Sequence, residues 1–242
     1  MSTQRPILLN GEMVRAILEG RKTQTRRIMK PQPVIDSNGW FRWDGHKPNS
    51  KFGAYASNHV DLRNISIFVG VSCPYGRPGD RLWVRETWSD VNLQGAPAIA
   101  YRADDDIRDL MAEPSFQDED GAFDYNDERV KPYHFAVWSE DLLSGSEGRW
   151  RPSIHMPRWA SRITLEITNV RVERLQDISA EDSAAEGVTD PIGSPRAYGV
   201  VTKQFARDQF MRLWESINGP DSWQVNPWVW VVEFKQIEGG DQ

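Results

Sequence analysis

The chain is short of several things, and each shortage narrows what it can be. In 242 residues there is a single cysteine, Cys73, so no internal disulfide is available and a reducing compartment fits. The histidines number only four: His46, His59, His134 and His155. They are scattered without metal-ligand spacing, so no metal and no cofactor is expected. No run of residues is long or apolar enough to cross a bilayer, and the N-terminus lacks the apolar core of a signal peptide. A cytoplasmic protein without a membrane partner is the expectation. Positive charge is in the minority, with 29 Lys and Arg against 35 Asp and Glu, a net charge of −6. That balance argues against a non-specific duplex binder, which needs a basic face, and leaves room for a pocket that takes one nucleotide. The glycine loop that cradles triphosphates is also missing.

What is present in excess is tryptophan, with 11 residues. Indoles fill cores, and they also stack on flat ligands such as bases. The positive charge that exists is focused in one stretch, Gly20-Arg21-Lys22-Thr23-Gln24-Thr25-Arg26-Arg27. Before it, Asn10 is placed to cap a helix whose Met13, Val14, Ile17 and Leu18 share one face. Gly20 stands where such a helix needs a positive φ to stop. If the stretch is extended, Lys22 and Gln24 face one way and Thr23 and Thr25 the other.

Along the rest of the chain, residues 6–9 read as a short strand, Asn38–Gly45 as a small aromatic hairpin, and 46–63 as loop. Ile65–Val69 and Leu82–Trp88 read as strands, the second carrying Glu86 and Trp88 on one side and following the turn at Tyr75–Asp80. Ala98–Arg102 is a further strand. From Asp104 to Lys131 the composition turns acidic, which predicts a mobile insertion because like charges resist packing; calcium-loop spacing is absent there. Residues 150–162 carry two Trp, three Arg and one His on a path fixed by Pro152 and Pro157. That loop either offers donors and stacking planes to a base or phosphate, or packs its tryptophans inward, and the two readings are compatible. Ile163–Val172 alternates as a strand. Ser179 with Asp182 three residues on predicts a helix cap, with the helix ending near Gly187. Residues 189–202 read as loop, Phe205–Ile217 as an amphipathic helix, and Trp228–Phe234 as a closing strand. Short strands, few helices and no repeat predict an α+β fold, a small and partly open mixed barrel with helices at its ends and insertions.

Four of these elements carry a family resemblance. Gly20, Lys22, Thr25 and Arg27 match the Gly-x-Lys-x-x-Thr-x-Arg signature of the ASCH (activating signal cointegrator-1 homology) domain. Pro78–Arg85 resembles that family's Gly-Asp strand, Leu175–Ser179 running on to Ala185-Glu186-Gly187-Val188 its strand-to-helix segment, and Trp228–Phe234 its last strand. The order is the same, and together they cover well under half of the chain, which is most similar to a longer, phage-type branch. The resemblance implies a PUA-like mixed β-barrel with flanking helices, one domain over 1–242 with insertions at about 31–75 and 103–150.

It also implies chemistry. Small bacterial members similar at this motif are amidohydrolases of 4-acetylcytidine, with the motif Lys as proton acceptor, the motif Thr as nucleophile and the later Glu as proton donor. In this sequence those are Lys22, Thr25 and Glu186. A threonine hydroxyl needs a base beside it, and lysine serves when burial and neighbouring cations lower its pKa. Glu186, near a helix end, meets the negative end of the dipole, which favours the protonated acid. Arg21 and Arg27, with Arg151, Ser153, His155 and Trp159 of the second arginine-rich stretch, are the candidate substrate-binding residues. The expected substrate is a modified nucleoside or nucleotide, with RNA as a further possible partner. A non-catalytic module that binds RNA or a modified base, or an RNA-cleaving relative, is the alternative.

Overall fold

The structure is a computed structural model that describes residues 2–35, 41–43, 54–56, 73–188 and 203–237. It mixes helix with small sheets. Its strands are β1 (Gln4–Leu8), β2 (Gln24–Ile28), β3 (Val34–Ile35), β4 (Phe41–Trp43), β5 (Ala54–Ala56), β6 (Arg81–Arg85), β7 (Trp88–Leu93), β8 (Ala96–Tyr101), β9 (Ile107–Asp109), β10 (Thr164–Arg174) and β11 (Trp228–Ile237). The α-helices are α1 (Gly11–Leu18), α2 (Ser139–Ser144), α3 (Ala180–Ala185) and α4 (Lys203–Asn218). A five-stranded sheet has the order β1-β6-β10-β11-β2, and two three-stranded sheets have the orders β3-β4-β5 and β7-β8-β9. Among the described residues these sheets do not close into a barrel. The expected strand at Ile65–Val69 and the loops at 46–63 and 189–202 lie outside the described residues. Of the expected hairpin, only Phe41–Trp43 is described, as a strand between β3 and β5.

The chain divides into two compact units. The first comprises Met1–Arg5, Ala16–Arg81 and Leu165–Gln236. Its apolar core gathers Leu175, Ile178, Phe210, Trp214, Trp223, Val229 and Val231. The amphipathic face of α4 supplies Phe210 and Trp214, which meet one side of β11. Antiparallel pairing of β11 with β2 sets Val232 opposite Thr25 and Val231 opposite Arg26. Cys73 is in this unit, and burial pushes its thiol up to about 11, against the smaller opposing effects of the backbone at Tyr75 and Gly76 and the charge of Arg5. As the sole cysteine it gives a clean assay. Its alkylation rate is expected to keep climbing with pH beyond 9 and to level off only near 11, because the thiolate is the nucleophile. A plateau at the ordinary thiol value contradicts this placement of Cys73.

The second unit comprises Pro6–Arg15, Leu82–Thr164 and Ile237–Gln242. Trp88, Ile99, Tyr101, Leu110, Phe116, Phe123, Val130, Phe135, Met156 and Ala160 form its core. This corrects the expectation for Asp104–Lys131. The acidic residues stay at the surface while Leu110, Phe116, Phe123 and Val130, spaced between them, are buried. Asp118 and Asp127 also cap local turns, accepting from the backbone N–H groups of Ala122 and Arg129. The run expected at Leu82–Trp88 is two strands, broken at Glu86 and Thr87. There Glu86 is drawn inside to meet both arms of the Arg162 guanidinium at 3.0 Å.

Candidate active site

The basic stretch is built as its spacing predicts. Asn10 Oδ1 accepts from the N–H of Met13 at 2.9 Å and caps α1. Gly20 has φ +72°, and the N–H groups of Arg21 and Lys22 both turn back to the carbonyl of Ala16, at 2.8 and 2.9 Å. The chain then extends into β2. At the other end of the sequence, Ser179 caps α3 by accepting from Asp182 N–H at 3.0 Å, a contact of a kind that stabilises by about 1 kcal/mol. The helix ends at Glu186, and Gly187 follows with φ +85°. A Cβ at Gly187 would stand 2.7 Å from that of Ala16 and 2.8 Å from that of Lys22. Only glycine therefore lets these two segments touch. The thread is completed by backbone pairing of Lys22 with Glu186 and by Thr23 N–H donating to Ala185 O at 2.9 Å.

On this scaffold Lys22 Nζ donates to Glu186 Oε2 and to the Glu186 carbonyl, both at 2.8 Å. The two side chains are 0% and 2% exposed. Arg26, also fully buried, donates Nη1 to Glu186 Oε1 at 3.2 Å and Nη2 to Glu173 and Asp182 at 3.0 Å each. Arg171 joins Glu173 at 2.6 Å and Asp182 at 2.8 Å, and also pairs with Glu233. Gln24 Nε2 donates to the Asp182 carbonyl at 2.7 Å. The result is a connected cluster in which three cations meet four carboxylates. Burial lowers the Lys22 pKa; Glu186 opposes that, and Arg27 and Arg26 reinforce it. The acid expected at a negative helix end thus lies between two cations.

Alternation along β2 turns Gln24 and Arg26 toward this cluster and Thr25 to the opposite face, beside Val232. Thr25 is 1% exposed, and among the described residues no hydrogen bond joins it to Lys22 or Glu186. Of the expected binding residues in this unit, Arg21 is held by Glu19 at 2.6 Å and by the Gly187 carbonyl at 2.7 Å. Arg27 is half-buried; its charge adds to the burial that lowers the Lys22 pKa, and it opposes the burial that raises the pKa of Tyr75.

Comparison with family models, with curated proteins and with solved structures found no match. The site is therefore read from its own geometry. Among the described residues no group of three or more His, Cys, Asp or Glu side chains is arranged to hold a metal ion, and no helix is long and apolar enough to cross a membrane.

The remaining candidates belong to the second unit. Arg151 is tied to Asp90 at 2.8 Å and lies over the rings of Trp88 and Tyr133, at 5.7 and 5.3 Å. Ser153 and His155 lie on a short 3-10 turn, His155 exposed. Trp159 packs inward, edge-on to Trp88, Phe116 and Tyr133. Arg171, Glu173 and Glu233 were not singled out by sequence; Asp182 was singled out only for the helix cap at Ser179, and Arg26 only as one of the cations of the basic stretch. Only Arg26 had a signal for the cluster, since it continues the alternation of Lys22 and Gln24; the acids come from distant segments that no local pattern connects.

Proposed function

We propose that the chain is a metal-free amidohydrolase of PUA-like ASCH type that removes an acyl group from the exocyclic amine of a cytosine nucleoside or nucleotide in the cytoplasm. The observation that carries the reading is the buried contact between Lys22 and Glu186 at 2.8 Å. The resemblance assigns these residues, 164 positions apart, as proton acceptor and proton donor. Moving one proton across that hydrogen bond turns an ammonium–carboxylate pair into a neutral amine and a carboxylic acid, the two forms the reaction needs. Burial, by lowering the Lys22 pKa, favours that transfer.

In the mechanism that the resemblance implies, the Thr25 hydroxyl attacks the acyl carbonyl carbon and its proton passes to the Lys22 amine, a step that requires Thr25 to turn from the face of β2 it occupies beside Val232. The C–N bond of the tetrahedral adduct breaks as Glu186 gives its proton to the departing exocyclic amine. Water then hydrolyses the acyl-threonine. Arg27 is the candidate for holding the substrate carbonyl or phosphate.

The test is hydrolysis of a 4-acylcytidine panel, read by mass spectrometry, for wild type, Thr25→Ala and Glu186→Gln. Turnover by wild type with a loss of about a hundredfold or more in each variant is expected. Turnover that survives Thr25→Ala and disappears in Glu186→Gln makes water the attacking group, in keeping with the orientation of Thr25. Absence of turnover from folded wild-type protein across the panel overturns the reading. Retained nucleotide binding in that case moves the chain to the non-catalytic alternative.

A further inference from the structure

We infer that Arg171, Glu173 and Asp182 are positioning residues for the Lys22–Glu186 pair: with Arg26 they close a ring of alternating charge that anchors the Glu186 carboxyl and offsets the arginine charge beside it. This role builds on the hydrolase reading, which makes the pair base and acid, and extends it to residues that the resemblance does not include.

The ring has four members. Glu173 accepts from Arg26 Nη2 through Oε2 at 3.0 Å and from Arg171 Nε through Oε1 at 2.6 Å. Asp182 bridges the same two arginines with one atom, Oδ2, which accepts from Arg26 Nη2 at 3.0 Å and from Arg171 Nη2 at 2.8 Å. Two guanidinium groups and two carboxylates thus alternate and balance. Each arginine keeps its Nη1 outside the ring. Arg26 gives that atom to Glu186 at 3.2 Å, and Arg171 gives its own to Glu233. Alternation explains the placement, since Arg171 and Glu173 share one face of β10 and Gln24 and Arg26 one face of β2. β11 lies between those strands and brings Glu233, and Asp182 comes from α3. From α4 the Phe210 ring meets the Arg26 guanidinium at 5.8 Å.

The balance bears on the proton that the pair shares. An uncompensated guanidinium against Glu186 would favour the carboxylate and oppose the acid form that the reaction needs. Arg26 acts on Lys22 as well: burial lowers the lysine pKa, Glu186 opposes this, and the charges of Arg27 and Arg26 reinforce it. The ring acids offset Arg26 for both partners. What remains at Glu186 is the directional bond from Nη1, which fixes Oε1 and leaves Oε2 turned to Lys22 Nζ. The shared proton titrates as a property of the pair, and its loss to solvent sets the alkaline limit of turnover. Removing a ring acid makes the surroundings more positive and brings that limit to lower pH.

Asp182 allows a clean test. Its side chain is 27% exposed, while its backbone N–H and C=O are engaged separately, with Ser179 and Gln24. Asp182→Asn therefore removes one ring charge at nearly constant shape, and Glu173→Gln removes the other. The control is Glu166→Gln, which takes the same charge from β10 at a surface pair with Lys235. In the full chain, kcat/KM on 4-acetylcytidine and the Lys22 Nζ resonance in NMR are followed against pH; kcat/KM reports the free enzyme, as the resonance does. In Asp182→Asn the alkaline limb and the Lys22 midpoint are expected to move together to lower pH, with turnover on that limb reduced about tenfold. Glu166→Gln leaves both in place. If Asp182→Asn does not fold, Glu173→Gln decides. A Lys22 midpoint unmoved in the folded variant overturns the proposal. So does turnover lowered equally at every pH, the mark of a merely structural contact. If folded wild type hydrolyses nothing, the hydrolase reading alone falls, and the Lys22 midpoint still decides for or against the ring.

Discussion

Replacing Glu186 with alanine is expected to destabilise the first unit by about 3–5 kcal/mol, the range for breaking a buried ion pair from one side. The carboxylate is shared: its Oε2 meets Lys22 and its Oε1 meets Arg26, and neither cationic side chain has any exposure. Arg26 keeps Glu173 and Asp182 in the variant, whereas among the described residues Lys22 Nζ keeps only the backbone carbonyl of residue 186. The stranded charge is therefore the lysine. Its folded pKa already lies below 10.5, and without Glu186 it falls further. Between that lowered value and 10.5 the unfolded chain binds more protons than the folded one, so stability rises with pH through that window. The loss in Glu186→Ala is thus largest near neutrality and shrinks in alkaline buffer. Urea titrations at several pH values measure both effects. A neutral-pH loss under about 1 kcal/mol, in the range of an exposed pair, contradicts the buried pairing.

Phe116→Ala is the second large effect, expected to cost about 3–5 kcal/mol as a buried phenylalanine truncation. The ring is 1% exposed. It stacks on Phe123 with centroids 6.2 Å apart and meets Trp159 edge-on at 5.6 Å. The Arg129 guanidinium covers it at 4.2 Å. Its loss opens a cavity where the acidic segment joins the core, so amide exchange over residues 110–135 should accelerate along with the fall in stability. A variant as stable as wild type, with unchanged exchange, would mean that the acidic segment does not depend on this packing.

These two positions mark the limits of reading the sequence. Local signals were legible: Asn10 and Ser179 cap the helices expected of them, Gly20 turns with positive φ, and Trp228–Phe234 is a strand. Each depends on residues a few positions apart. Lys22 and Glu186 were legible as candidates through resemblance, and alternation anticipated that Thr25 faces away from Gln24. The wider cluster was not legible, because Arg171, Glu173 and Glu233 acquire meaning only when β10 and β11 are in place. The acidic segment misled for a related reason. Charge density was weighed as an average, while folding uses the four apolar side chains set between the acids.

The pairing of β2 with β11 joins Gln24 to Glu233 and Ile28 to Val229, so the first unit ties the beginning of the chain to its far end. During synthesis, the stretch from Leu82 to Thr164, which supplies most of the second unit, emerges well before β11 exists. Contacts so distant in sequence carry a large loop-closure cost and form late. Lys22 and Arg26 therefore await Glu186 and then the last strand, so the cationic stretch spends a long time without its partners. A nascent chain stalled before Trp228 exposes those cations on the ribosome, where chaperone capture or degradation competes with completion of the site.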